Sequence, residues 1–479
     1  MPGHKMGKGF SSEFIENLVK FDITEIPGTD NLHFPCGIIK EAEDLAAKAF
    51  GSEKTYFLVN GSSCGIHASI MSVLMPGDKI LVTRDCHRSV IGGMMMAGAN
   101  PVYINTEFDS FFGIPTILKH EILEKALKDN PDVKAVIITR PNYYGICSDI
   151  EQIAKTTHSH GKILIVDEAH GAHLKFNKTL PVSAIEAGAD ICIQSAHKTL
   201  PAFTQGAYLH VKSNIVDIER IEFYLRLLQT TSPSYIIMAS LDIAREVMEC
   251  FGEKLLEDLT ENTEWIRDAV DKLGSFVPLK EDTIEEKQID SSLIKRGSFT
   301  KKGLVEGRLM GKGLLDKTRL VLNTRNLGKT GYRVSQILRE KFRIQVEMAD
   351  MFNIVCICTI SDSRKDFDSL YRALNKLSVD NESQVPDDNI IIQTINELPI
   401  PKQGVSLCDV GKCRGKSVIL KESIGKASRD FIVPYPPGIP VICPGEIIME
   451  ETVDYIYKVI EWGGTINGID KNFFVDIIE

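Results

Sequence analysis

The chain has 479 residues, enough for about three domains at roughly 150 residues each. Hydrophobic residues make up 43% and charged residues 25%, a globular composition that excludes disordered and fibrous classes. Acidic residues outnumber Lys and Arg by 65 to 55, which disfavours a protein that binds the phosphate backbone of nucleic acids.

Short apolar runs alternate with stretches of helical periodicity, such as 115–129 and 149–160, over the first part of the chain. Several runs are nearly continuous in Val, Ile and Leu, which is typical of strands covered on both faces. The predicted strands are 55–59, 79–83, 101–105, 133–139, 162–167, 189–194 and 206–211. Repeated β-α units predict an α/β fold with a doubly wound, mostly parallel sheet.

Helical periodicity returns over about 214–273, and the charged segment 281–303 predicts an exposed connection. A second α/β pattern follows, with helices predicted around 331–342 and near 364–378. Residues 378–389 (SVDNESQVPDDN) are typical of a linker.

The terminal module carries five prolines between 433 and 446, which exclude a regular helix there. We therefore predict three units in chain order: a major domain, a small α/β domain and a C-terminal α+β module. Their predicted boundaries are 1–300, 301–380 and 381–479.

Polar residues follow several predicted strands, at the edge where an open parallel sheet binds its ligands. After the first strand, glycine and hydroxyl groups open a helix, an arrangement that suits a phosphate. Taken singly, each such residue also fits a capped turn, a core histidine or a solvated lysine. The residues are Gly61, Ser62, Ser63, His87, Asp167, Ser195, His197 and Lys198.

As a set, these residues meet the needs of pyridoxal 5′-phosphate (PLP). PLP requires a lysine for a Schiff base, a carboxylate that keeps its ring nitrogen protonated, and a phosphate cup. Lys198 and Asp167 supply the first two, and Ser62, Ser63 and Ser195 supply the cup. His87 would be the ring-stacking side chain.

Two rival interpretations use the same residues. Asp167 to His170 spells DEAH, an acidic helicase motif, but the stretch Gly411–Ser417 is one residue short of a P-loop and follows that motif. Asp167, His170 and His173 could instead bind a metal, although their spacing fixes no common face.

Seven segments together resemble the ornithine/lysine/arginine decarboxylases of the aspartate-aminotransferase fold. The resemblance covers nearly the whole chain, with 281–313 matching least. The segments are PGHKMG (2–7), DITEIPGTDNLHFPCGIIKEAEDLAAKAFGSEKTYFLVNGSS (22–63), RDCHRSV (84–90), VDEAHGAH (166–173), SAHKTLPAFTQGAYLHV (195–211), TSPSYIIMASLD (231–242) and ESIGKASRDFIVPYPPGIPVICPGE (422–446), the last including YPPGIP.

The resemblance implies that Lys198 holds PLP as a Schiff base and that Asp167 pairs with the pyridinium nitrogen. His87 would stack on the ring, with Ala169 against the other face. Ser62, Ser63, Ser195 and His197 would hold or neighbour the phosphate. His197 or Lys198 would return a proton to Cα after CO₂ leaves.

The resemblance also implies a homodimer or higher homo-oligomer with its sites at the dimer interface, where Thr230–Tyr235 would approach the partner's cofactor. The chain is similar to the short bacterial form, without the additional N-terminal domain of the long enzymes. Cys36 stands where a carboxylate or small polar residue is common in the family, so the contacts to the substrate side chain are not predicted.

The leading prediction is therefore PLP-dependent decarboxylation of a small cationic amino acid in polyamine metabolism, with arginine first and lysine or ornithine next. The alternatives are another PLP enzyme of this fold, an aminotransferase or carbon–sulfur lyase, and a non-catalytic PLP-binding relative. Arg325 and Arg333 keep the aminotransferase open, because such enzymes need an arginine for the substrate carboxylate.

The expected location is the cytoplasm, with no membrane and no nucleic-acid partner. The 11 cysteines lack the even count of a disulfide framework, and the first residues lack the apolar core of a signal peptide. The sequence also lacks a run of roughly 18 uncharged apolar residues. No metal is expected.

Overall fold

Ten strands lie within the first 211 residues, where the apolar runs predict a sheet. The computed structural model describes residues 1–280, 314–381, 397–435 and 438–479. The strands of this region are β1 (Lys54–Leu58), β2 (Lys79–Thr83), β3 (Asn100–Ile104), β4 (Phe108–Asp109), β5 (Ile114–Pro115), β6 (Val133–Thr139), β7 (Ile146–Cys147), β8 (Ile163–Asp167), β9 (Ile191–Gln194) and β10 (Ala207–Val211).

Seven of these strands form the central sheet, in the order β1-β10-β9-β8-β6-β2-β3. The run from β9 to β3 is parallel, whereas β10 is antiparallel to both of its neighbours. All seven predicted strands are confirmed to within two residues, and so is the mostly parallel sheet. The carboxyl ends of the parallel strands therefore share one edge, where ligands of such sheets bind.

Helices cover this sheet and continue beyond it. They are α1 (Ser12–Glu16), α2 (Ile38–Phe50), α3 (Gly61–Val73), α4 (Arg88–Ala97), α5 (His120–Asp129), α6 (Ile150–Ser159), α7 (Ala196–Thr199), α8 (Ile218–Leu228) and α9 (Tyr235–Asp271). Within the described part of the chain, no helix has both the length and the apolar character needed to cross a membrane.

Alternation along each strand explains why both faces of the sheet are apolar. In β8, Ile165 packs with side chains of α3, α4 and α8, while Leu164 and Val166 pack with α5 and α6 on the opposite face. Each fully buried aliphatic side chain contributes about 1.5–3 kcal/mol. The continuous apolar runs are thus the signature of a sheet buried between two layers of helices.

A second sheet follows the long helix α9. It has the order β11-β13-β15-β14 and is antiparallel throughout. Its elements, with the small strand that pairs with β7, are β11 (Val277–Pro278), β12 (Leu314–Leu315), β13 (Arg319–Asn323), α10 (Gly331–Phe342), β14 (Met348–Ala349), β15 (Asn353–Ile357) and α11 (Arg364–Asn381).

The two predicted connections differ in outcome. The segment 281–303 lies outside the described residues, as does 382–389 of the predicted linker. Residues 378–381 were assigned to that linker, but they complete α11, because Ser378 is buried and its hydroxyl donates to the carbonyl of Leu374 at 3.0 Å. The three domain boundaries remain predictions.

The C-terminal module packs its own core against the rest of the molecule. Its elements are β16 (Gly415–Ile419), β17 (Val433–Pro434), α12 (Glu450–Glu461), β18 (Ile466–Asn467) and β19 (Phe474–Ile478). The described residues of the proline-rich segment form only β17 and irregular structure, as the prolines predict.

A buried ion pair attaches this module to the end of β2. Arg84 Nη2 lies 3.0 Å from Glu446 Oε2, and Nη1 donates to the carbonyl of Pro440 at 2.8 Å. The same carboxylate oxygen accepts from the backbone of Cys443 at 2.7 Å. Removing one partner of a buried pair leaves the other uncompensated, which costs about 3–5 kcal/mol.

Helix α2 buries a carboxyl group among its apolar residues. Glu43 is 5% exposed, and its Oε1 accepts from the backbone N–H of Phe57 at 3.0 Å. Burial raises its pKa from 4.5 to about 8. Between these two pH values the folded protein keeps the proton, whereas the unfolded chain releases it. The contribution of Glu43 to the free energy of unfolding is therefore lost as the pH rises from about 4.5 to 8.

We expect Glu43→Gln to raise the free energy of unfolding at pH 8 by about 2 kcal/mol or more and to change it far less at pH 4.5. Denaturant titration at both pH values measures the difference. Glu41→Gln is the matched control, because Glu41 is exposed on the same helix. An equal effect of Glu43→Gln at the two pH values would contradict the assignment.

Candidate active site

The predicted lysine and aspartate lie at the carboxyl ends of adjacent strands. Asp167 is the last residue of β8, and Lys198 lies in the helical turn α7 after β9, which pairs with β8. Burial raises the pKa of Asp167 and lowers that of Lys198, while the charge of each acts in the opposite direction on the other. The two groups therefore share one poorly solvated region.

Asp167 presents one carboxylate oxygen to the protein backbone. Its Oδ1 accepts from the N–H of Ala169 at 3.1 Å, and the side chain is 2% exposed. Within the described residues, no group donates to its second oxygen. A buried carboxylate with one free oxygen is a fitting partner for a cationic N–H donor.

The serines predicted for a phosphate cup meet at the first turn of α3. The hydroxyl of Ser195 donates to the hydroxyl of Ser62 at 2.7 Å, and Ser63 is the next residue of the turn. The first N–H groups of a helix have no partner within it and favour an anion. A side chain at Gly65 would come within 2.6 Å of Leu58 Cδ1, so this glycine lets the helix start lie close to the sheet.

His87 is both a helix cap and a neighbour of the lysine. Its Nδ1 accepts from the backbone N–H of Ser89 at 3.2 Å and lies 2.7 Å from the Ser89 hydroxyl. Burial, together with the charge of Lys198, lowers its pKa to about 3. The ring is therefore neutral and fixed in orientation, two properties suited to stacking.

His197 is held by the strand that follows it. Its Nδ1–H donates to the carbonyl of Gly206 at 3.0 Å, which leaves the lone pair on Nε2. Burial lowers its pKa to about 4. At neutral pH this ring can accept a proton at Nε2 but carries none to give there.

His170 and Arg319 also belong to this site, although the sequence analysis does not assign them to it. His170 contacts Lys198 directly, and Arg319 contacts it through His170. Lys198 Nζ lies 3.1 Å from His170 Nε2, and Arg319 Nη2 donates to His170 Nδ1 at 3.3 Å. The ring of Tyr143 lies 5.2 Å from that of His170. His170 follows Asp167 by three residues, a signal that was available within the DEAH motif, whereas Arg319 lies on β13 of the second sheet.

The proposed metal set does not assemble. His173 Nε2 lies 3.1 Å from Asp316 Oδ1, while His170 faces Lys198 and Arg319. In the described ranges, no three His, Cys, Asp or Glu side chains converge as metal ligands.

The remaining predicted residues lie at the start of α3 or in the region that follows β13. Thr230 donates its N–H to Asn60 at the start of α3 at 3.2 Å. Arg325 lies 3.5 Å over the ring of Phe352, and Arg333 Nη1 donates to Gln336 at 2.7 Å.

Comparisons with known proteins agree along the whole chain. The family model described as Orn/Lys/Arg decarboxylase, major domain, matches residues 1–366, and the C-terminal domain of the same family matches 409–473. An arginine decarboxylase of Bacillus subtilis is 36% identical over 98% of this chain and 91% of its own length.

Solved structures show the same fold. Lysine decarboxylase A from Pseudomonas aeruginosa superposes with a TM-score of 0.80 at 21% identity, over 100% of this chain and 78% of that one. An alanine–glyoxylate aminotransferase from Nostoc superposes with a TM-score of 0.56 at 14% identity, over 76% and 92% of the two chains. The fold is therefore aspartate-aminotransferase-like, and the chain belongs to the Orn/Lys/Arg decarboxylase family of amino-acid decarboxylases.

Proposed function

We propose that the chain decarboxylates a basic amino acid with PLP as its cofactor, arginine being the first candidate and lysine or ornithine the next. The observation that carries the proposal is the Lys198–Asp167 pair on adjacent strand ends, in a chain that matches the family along its length. The product would be the corresponding amine, a polyamine or its precursor.

The chemistry of the residues present fits PLP. Lys198 would bond to its aldehyde, and Ser62, Ser63 and Ser195 with the first N–H groups of α3 would bind its phosphate. The second oxygen of Asp167 would accept from the ring nitrogen. His87 and Ala169 would lie against the two ring faces.

When bound, PLP supplies an electron sink for the pair of electrons that CO₂ leaves behind. Asp167 would keep that sink protonated, because a buried carboxylate stabilises a positive charge strongly where water is excluded. His197 would neighbour the phosphate side and hold the α7 turn in place through Gly206. Either His197, after taking up a proton at Nε2, or Lys198 would return a proton to Cα.

The substrate class follows from the relatives and from charge. The B. subtilis relative is an arginine decarboxylase, and the P. aeruginosa structure is a lysine decarboxylase. This chain has a surplus of ten acidic residues, which favours a cationic substrate. A cytoplasmic location suits its thiols, since all 11 cysteines are free.

We also propose that the enzyme is a homodimer with its sites at the interface. Large apolar side chains are exposed where α2 begins and where α8 ends: Phe34 is 69%, Ile38 69% and Leu227 61% exposed. His33 Nε2 lies 2.8 Å from the carbonyl of Thr230, so this apolar surface adjoins the Thr230–Tyr235 segment. A second copy covering it would bring that segment to the partner's cofactor.

Purified protein supplied with PLP is expected to release CO₂ and amine from arginine faster than from lysine or ornithine. Parallel measurement of CO₂, amine and keto acid tests this. Keto acid formed with an acceptor, and without CO₂, would instead indicate an aminotransferase. Borohydride reduction should label Lys198 in the peptide digest, and a label elsewhere would contradict its role.

Asp167→Asn is expected to retain the cofactor while turnover falls by about 100-fold or more, because the amide cannot stabilise a protonated ring nitrogen. Bound PLP and turnover are measured on the same sample. Asp190→Asn is the matched control, a buried aspartate before β9 at the opposite edge of the sheet, where it accepts from Leu164 at 2.8 Å. Turnover close to that of the unchanged protein in Asp167→Asn would reject the role.

Phe34→Asp is expected to shift the protein from dimer to monomer, because a charge in the centre of an apolar interface must be desolvated. Sedimentation velocity over a range of concentrations measures the change. Phe251→Asp is the control, since Phe251 is 63% exposed but lies on α9. A monomeric unchanged protein, or a dimeric Phe34→Asp variant, would contradict this interface.

A further inference from the structure

A chain of hydrogen bonds joins the lysine to the second sheet. Lys198 Nζ lies 3.1 Å from His170 Nε2, and His170 Nδ1 accepts from Arg319 Nη2 at 3.3 Å. Lys198 and His170 belong to the major sheet's edge, whereas Arg319 begins β13. The state of the lysine therefore depends on a residue of the second sheet.

The donors and acceptors in this chain leave one assignment of hydrogens. A guanidinium only donates, so His170 Nδ1 must carry a lone pair, which excludes the imidazolium form. The ring hydrogen then lies on Nε2 and points at Lys198. An ammonium also only donates, so the Lys198 group in this contact must be a neutral amine that accepts from the ring.

Arg319 is held where His170 is its main partner. Its side chain is fully buried, and within the described residues the only hydrogen bond that this side chain makes is the one to His170. Asp316 Oδ2 lies 4.0 Å from Nη2, and a side chain at Gly145 would come within 2.6 Å of Arg319 Cβ. Among the residues that the structure describes, none accepts from the Nε–H of Arg319, and buried polar groups are rarely left without a partner unless they have a function.

We infer that Arg319 is a positioning residue that fixes the His170 tautomer with its Nε2–H toward Lys198 and thereby keeps that amine neutral and nucleophilic. The inference rests on the proposed role of Lys198 as the cofactor lysine. A neutral amine can attack an aldehyde without first losing a proton to solvent.

The surrounding charges act in the same direction. Burial lowers the pKa of Lys198, and Arg319 lowers it further, whereas Asp167 and Glu347 raise it. Burial also keeps the pKa of His170 well below its usual value. The basic groups that face His170 are Lys198, Arg319, His87 and His197, and a positive charge on any of them lowers its pKa further.

Three substitutions separate charge from hydrogen-bond donation. Arg319→Lys keeps both, Arg319→Gln keeps a donor without the charge, and Arg319→Met removes both. Arg245→Gln is the matched control for loss of a buried arginine, since Arg245 pairs with Asp242 and Glu249 on α9. Circular dichroism establishes that each variant is folded.

Two measurements on the full chain without cofactor test the inferred tautomer of His170 and the inferred neutral state of Lys198. Histidine ¹⁵N shifts report the tautomer of His170, and competitive acetylation with acetic anhydride at pH 8 reports the neutral fraction of Lys198. We expect Nε2–H in the unchanged protein, Arg319→Lys and Arg245→Gln. In Arg319→Met we expect mixed tautomers and Lys198 acetylation about tenfold slower, with other lysines unaffected. Arg319→Gln should keep the tautomer with a smaller loss of rate.

An Arg319→Met protein with the original tautomer and the original acetylation rate would overturn the inference. Loss of the Nε2–H tautomer in Arg319→Lys and Arg319→Gln alike would overturn it too, because both retain a donor. Borohydride labelling of the PLP-loaded protein distinguishes this failure from failure of the proposed function. If Lys198 is labelled and Arg319→Met changes neither the tautomer nor the acetylation rate, only the role of Arg319 is rejected.

Discussion

Exclusion of water from the carboxyl ends of β8 and β9 is the constraint on which the site depends. In water, a carboxylate and an ammonium a few ångströms apart would each be solvated and would influence one another little. Here Asp167 and Lys198 lie in the same desolvated region, so the protonation of each is set by its neighbours. The buried sheet supplies this environment because helices cover both of its faces.

Much of the fold could be predicted, because strands buried on both sides leave long runs of Val, Ile and Leu. The pairing of Lys198 with Asp167 was also predictable, since consecutive β-α units place their strand ends side by side. The reversal of β10 was not, because its composition matches that of its parallel neighbours. The end of α11 was misassigned because polar residues continue the helix into a segment with turn composition.

The residues missed at the site were missed for different physical reasons. His170 is part of the DEAH motif that the sequence shows, but that motif suits a helicase or a metal site equally well. Only the structure shows that its ring faces Lys198. Arg319 could not be found by spacing, because it reaches the site from another sheet. The fold is shared with aminotransferases, so such side chains, and not the sheet, must account for the reaction carried out.

The ion pair between Arg84 and Glu446 bears on how the chain can be divided. Arg84 directly follows β2 and lies three residues before His87. Through its ion pair with Arg84, the C-terminal module therefore contacts the same loop that carries His87. A protein cut after the second sheet would leave that guanidinium without its carboxylate and the loop without its cover. The C-terminal module therefore has its own strands and helix but cannot be removed without exposing the loop after β2. It forms part of the wall around that loop.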